Sequence, residues 1–130
     1  MNKDQSLYNA EENVFAAGAA RSLLAMDHAA VNTVKAFMER NARFVTANQL
    51  RNVYARIRAS KNNDELPMLR VKLAYIKGKS DRRSKGFHQL LDLLDEMIVA
   101  VGEDDKARKQ LERFFEAVLA YHKYYDIKKR

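Results

Sequence analysis

Arg51, Ala55 and Arg58 lie on one side of a helix, because steps of four and three residues bring side chains together on a helical surface. Arg70, Ala74 and Lys77 repeat the same spacing further along the chain. A small residue between two cations lets a polyanion backbone come close while its charge is neutralised at both ends, as phosphate contacts require. Asn48 shares the Arg51 face, and Asn52 and Arg56 flank it. No pattern of base-edge readers accompanies these residues, so the expected contact is with the backbone, independent of base sequence. Nor does an RNP-like aromatic pattern surround Tyr75 to support base stacking.

The placement of charge strengthens this reading. The chain has 130 residues and a net charge of +7. Residues 51–85 contain eleven Lys/Arg against three acids, and the remainder contains thirteen against fourteen. The whole cationic excess therefore sits in one segment, the footprint of a polyanion partner rather than of a uniformly solvated surface.

Catalytic and metal chemistry find little support. His28, His88 and His122 are far apart, and no HExxH-type spacing occurs. His122 falls on an apolar helical stripe and is expected at the core or its rim, while His28 and His88 open helices. Asp92, four residues after His88, is expected to pair with it across one turn. Asp95–Glu96 lies on the polar side of an apolar helix and Asp104–Asp105 at a helix start, so structure accounts for both pairs. The GKS at 78–80 lacks the upstream glycine of a phosphate-cradling loop. With no cysteine, disulfides, thiolate metal sites and cysteine nucleophiles are excluded. The expectation is a binding protein with no catalytic residue, no metal and no cofactor.

The elements that must position the cations are helical. One proline and four glycines punctuate long apolar-periodic stretches, which argues for an all-α, compact bundle of five or six helices. Residues 1–26 read as a partly helical N-terminal extension with no strong apolar stripe, and 27–130 as a single bundle domain. Ala30, Val34, Phe37 and Met38 mark a helix ending near Arg40. Thr46 and Gln49 have the spacing of a capping box, flanked by Val45 and Leu50, and open a helix with Leu50, Val53, Tyr54 and Ile57 on one face. Pro67 suits the first turn of the next helix, which carries Leu66, Leu69, Leu73 and Ile76 on one stripe and is expected to end near Gly78. That helix has a second apolar stripe, Met68, Val71 and Tyr75, read as placing it centrally in the bundle. A basic loop over Lys79–Lys85 leads to an apolar helix from Phe87 to Val101. A last helix runs from about Asp104 and ends in KKR. No window approaches a membrane-spanning apolar run, and the N-terminus lacks a secretory pattern, so a cytoplasmic protein without a membrane partner is expected.

VTANQLRNVYARI (45–57) followed by LRVKLAYIKGK (69–79) resembles the small helical subunit of type III-A (Csm-type) CRISPR–Cas interference complexes. The similarity covers about Asp27 to the C-terminus. It implies a non-catalytic helical bundle, stacked in several copies along a guide RNA–target RNA duplex and touching other subunits of the complex. Carried over, RNA-contacting roles fall on Gln49, Arg51, Lys72, Tyr75 and Gly78. The family's arginine after the glycine is Lys79 here, which keeps the charge but loses bidentate phosphate geometry and is expected to pass the contact to Arg82 or Arg83.

Two other readings remain at this stage. Helices 46–60 and 66–77 could form a helix-turn-helix for duplex DNA, although the 61–65 joint is long and glycine-free and the second helix is apolar on two sides. The cations could instead meet an acidic protein partner.

Overall fold

The structure, a computed structural model, describes residues 6–128. Of the segments anticipated above, the first five residues of the N-terminal extension and the terminal Lys129 and Arg130 lie outside it. Two short strands, β1 (Tyr8–Asn9) and β2 (Val14–Phe15), form a small antiparallel hairpin that pairs Tyr8 with Phe15 and Asn9 with Val14. Among the described residues six α-helices follow: α1 (Ala19–Leu23), α2 (His28–Asn41), α3 (Ala47–Ala59), α4 (Leu66–Lys79), α5 (Lys85–Val101) and α6 (Asp105–Lys128). Single 3-10 turns at Ala42–Phe44 and Asn63–Glu65 join α2 to α3 and α3 to α4. The architecture is thus a helical bundle, as the scarcity of breakers implies.

Local chemistry sets the helix starts. The Asp27 carboxylate accepts from the Ala30 N–H at 3.0 Å and caps α2. Thr46 Oγ1 accepts from the Gln49 N–H at 3.0 Å while Gln49 Oε1 accepts from the Thr46 N–H at 2.9 Å, completing the capping box of α3. Asp104 Oδ1 accepts from the N–H groups of Lys106 and Ala107 at the start of α6.

α6, with 24 residues and thus about 36 Å long, is the spine against which α2, α3 and α5 pack. α1 and α4 pack on α5. Phe37, Phe87, Phe114, Phe115, Leu94 and Met97 are fully buried between these layers, and burying each phenylalanine stabilises the fold by roughly 2–3 kcal/mol. His122, half-buried on α6, bonds the Val45 carbonyl at 2.6 Å, a rim position.

The N-terminal segment shares this core. The Tyr8 and Phe15 rings both pack on Phe37, with centroid separations of 5.3 and 5.0 Å. Asn41, buried at the end of α2, donates from Nδ2 to the Tyr8 hydroxyl at 3.2 Å and to the Phe37 carbonyl at 2.9 Å. Gly86 passes so close that a Cβ there would lie 2.7 Å from Asn41 Oδ1. Gln89 on α5 donates to the Asn13 carbonyl at 2.7 Å, pinning the hairpin from the other side.

Candidate nucleic-acid interface

α3 buries Leu50, Val53 and Ile57 and turns its remaining faces outward. Arg51 donates from Nη2 to Asn48 Oδ1 at 2.7 Å, so the amide holds the guanidinium along the outer surface. Arg58 lies over the Tyr54 ring at 5.7 Å. That ring stacks on Phe115 of α6 at 6.1 Å, and its hydroxyl donates to Glu116 Oε2 at 3.1 Å. Burial, with help from Glu116, raises the Tyr54 hydroxyl above its ordinary pKa. Arg58 therefore belongs to the α6 side of α3.

α4 buries Leu66, Leu69 and Leu73. Its second apolar stripe does not take the central position expected from the sequence: Met68, Val71 and Tyr75 are 57%, 55% and 66% exposed. α3, α5 and the 3-10 turn at Asn63–Glu65 flank this helix, and the Met68, Val71 and Tyr75 side is left open. α4 ends near Gly78, as expected, but the glycine does not cap it. The helix continues through Gly78 to Lys79 and is closed by Ser80, whose N–H reaches the Ile76 and Lys77 carbonyls. Gly78 sits in an ordinary helical turn with open space where a Cβ would point.

Two grooves border α4. The first, between α4 and α5, has a volume of about 900 Å³ and holds Arg70, Lys77, Gly78 and Arg82 on one side and Asp92, Asp95 and Glu96 on the other. Arg70 grips Asp95 bidentately, at 2.7 and 3.2 Å, and Lys77 Nζ lies 2.8 Å from Asp92. Asp92 therefore pairs with Lys77 and not with His88, which bonds Ser80 Oγ at 2.6 Å. The second groove, between α3 and α4, has a volume of about 380 Å³. Its rim carries Asn48, Gln49, Asn52 and Arg56 from α3 and Tyr75 and Lys79 from α4, over Ile76 and Phe87, and no acid among the described residues lines it. The Lys79 ammonium lies 5.4 Å above the Tyr75 ring.

The two cation pairs read from the helical spacing, Arg51 with Arg58 and Arg70 with Lys77, do not meet in one surface. Arg70 and Lys77 occupy a groove shared with three acids, and Arg58 lies on the far side of α3 from α4. Asn48, Gln49, Tyr75 and Lys79 are brought together in the α3–α4 groove, which the sequence did not anticipate. Lys72 is exposed on α4. Arg83 is held by Asp81, at 3.0 Å between Nη2 and Oδ2, and this contact holds the Asp81 carboxyl below its usual range. Arg51, Arg56, Arg58, Lys72, Lys79 and Arg82 have no ion-paired carboxylate among the described residues. Asn52 and Arg56, seen in the sequence only as neighbours of Arg51, join Asn48 in a stripe at four-residue steps, a spacing that would have placed them on this groove.

Among the described residues no three His, Asp or Glu side chains are grouped to hold a metal ion, and no helix is long and apolar enough to cross a membrane. Such a bundle, with its cations gathered about one helix pair, has the size and build of a small helical subunit. The chain belongs to the Csm2 Type III-A family, whose model matches residues 25–128, and so to the small subunits of type III-A CRISPR effector complexes. The hairpin and α1 precede that match. Searches of curated proteins and of solved structures found no match.

Proposed function

We propose that this subunit is non-catalytic and binds the sugar–phosphate backbone of a guide RNA–target RNA duplex without reading its sequence. It does so beside other subunits of the effector complex and further copies of itself, in the cytoplasm and in the service of antiviral and anti-plasmid defence. The observation that carries this reading is that Arg51, Arg56, Arg58, Lys72, Lys79 and Arg82, all in the basic segment, have no ion-paired carboxylate among the described residues. A cation already paired with a carboxylate must give up that partner to meet a phosphate. These six have none to give up, Arg51 being held by the neutral Asn48 amide and Arg58 and Lys79 lying over the rings of Tyr54 and Tyr75. Exposure of Met68, Val71 and Tyr75 on the outer face of α4 weighs against a DNA recognition helix, which would present polar readers there.

Binding to duplex RNAs of unrelated sequence, measured across salt concentrations, tests the proposal. About six phosphate contacts correspond to a loss of roughly 10³-fold in affinity between 50 and 200 mM salt. Affinity that ignores salt, absence of RNA binding both alone and in the assembled complex, or strong preference for one duplex DNA site would each overturn it.

A further inference from the structure

The α3–α4 groove differs from every other part of the basic segment in what it lines up. It places three side-chain amides, two cations and one exposed aromatic ring around a cavity of about 380 Å³ that no acid among the described residues lines. A bare phosphate needs only cations. Amides serve a ligand with both donors and acceptors on its edge, and an exposed ring serves one with a flat face. An unpaired nucleotide has all of these: a base with a polar edge and π-face, flanked by phosphates. We propose that the α3–α4 groove is a pocket for one unpaired RNA nucleotide. This inference rests on the RNA-binding reading above and extends it from backbone to base.

The side-chain geometry supplies the roles. Tyr75 is 66% exposed, and its ring has Lys79 over one face at 5.4 Å. A base stacks on the other face, and the cation strengthens the ring's hold on the site. Asn48 Oδ1 is already taken by Arg51 and Gln49 Oε1 by the Thr46 N–H. What these two amides have left to offer is their NH2 donors, suited to base carbonyls and ring nitrogens. Asn52 keeps both its acceptor and its donors, so the set serves any base and imposes no strict sequence. Arg56 and Lys79 stand at the rim for the phosphates on either side. The apolar floor of Ile76 and Phe87 is preformed, because Phe87 is fully buried and belongs to the core. The neighbouring α4–α5 groove is larger but unsuited, since Asp92, Asp95 and Glu96 would face the phosphates.

Three RNA duplexes separate this pocket from backbone binding: one fully paired, one with a single bulged 2-aminopurine, and one with an abasic site at the bulge. The full chain is expected to bind the bulged-base duplex about tenfold more tightly than the abasic one, the weight of a single stacked base, with quenching of the 2-aminopurine. Tyr75→Ala should erase that difference, and Tyr75→Phe, which keeps the ring, should retain it. The ring is too exposed for either change to unfold the bundle. Equal affinity for base and abasic bulges, with salt-dependent binding of the paired duplex intact, overturns the pocket and leaves the backbone reading standing. Failure to bind any of the three removes both. Displacement of the bulged-base RNA from Tyr75 by an oligoglutamate peptide, but not by a nucleoside monophosphate, would assign the groove to an acidic protein segment instead.

Discussion

Replacing Arg56 and Lys79 together by alanine should weaken RNA binding far more than replacing Arg70 and Lys77, although both pairs carry the same charge. Each phosphate contact on a duplex contributes a slope of about 0.9 in the logarithmic dependence of affinity on salt. At about 0.15 M salt that is roughly 0.7 of a decade, so two contacts amount to about 30-fold and a slope change of about 1.8. Arg56 and Lys79 have no carboxylate partner to satisfy, so their loss should show this full effect. Arg70 and Lys77 already face Asp95 and Asp92 at 2.7 and 2.8 Å. Their substitution removes two locally neutralised charges and should leave affinity within a few-fold and the slope nearly unchanged. Folding does not confuse the comparison. The Arg70–Asp95 side chains are 48% and 42% exposed, and a pair this wet contributes little to stability. Filter binding or fluorescence anisotropy at four or more salt concentrations gives both slopes, with thermal midpoints as the control. Equal losses of affinity and slope in the two variants would refute the reasoning, because local pairing would then not decide which cations meet RNA.

Two further outcomes concern the fold. Gly86→Ala would drive a Cβ against Asn41 Oδ1 and disturb the bonds that Asn41 makes to Tyr8 and Phe37. Despite the usual gain of alanine in a helix, a net destabilisation of roughly 1–2 kcal/mol is expected in denaturant titrations, and a more stable variant would contradict it. Burial raises the hydroxyl pKa values of Tyr8, Tyr54 and Tyr125 above the usual 10.0. The folded state therefore favours their neutral forms, and the associated stability is complete below about pH 10 and lost as pH rises through the higher folded values. Thermal midpoints should accordingly fall beyond pH 10, and a flat profile to pH 11 would count against the buried hydroxyls.

How much of this was legible in the sequence depended on how far apart the interacting residues lie. Thr46 and Gln49, three residues apart, disclosed the start of α3, and the apolar steps from Phe87 to Val101 disclosed α5. The stripe Leu66, Leu69 and Leu73 gave the inner face of α4 correctly. Its outer stripe was misjudged because periodicity reports that a face is apolar, not whether another helix reaches it. The ion pairs of α4 were illegible for a related reason: Asp92 and Asp95 meet Lys77 and Arg70 only after α5 docks. The hairpin left no trace because two-residue strands carry no period, and it owes its form to Tyr8 and Phe15 packing on Phe37. The α3–α4 groove was half visible, as the stripe Asn48, Asn52 and Arg56, but its other half depends on where α4 comes to rest.

The central position of α6 has a consequence for the birth of the protein. This helix is the last of the six to leave the ribosome, yet α2, α3 and α5 all rest on it. Until it emerges, the nascent chain can form individual helices but cannot close its core, and Phe37, Val53 and Leu94 remain open to solvent or chaperone. At about 5–20 residues per second, α3 waits several seconds between its own synthesis and the arrival of its support. The cations of α3 and α4 are therefore presented before the core is sealed, while the two helices are still only loosely held.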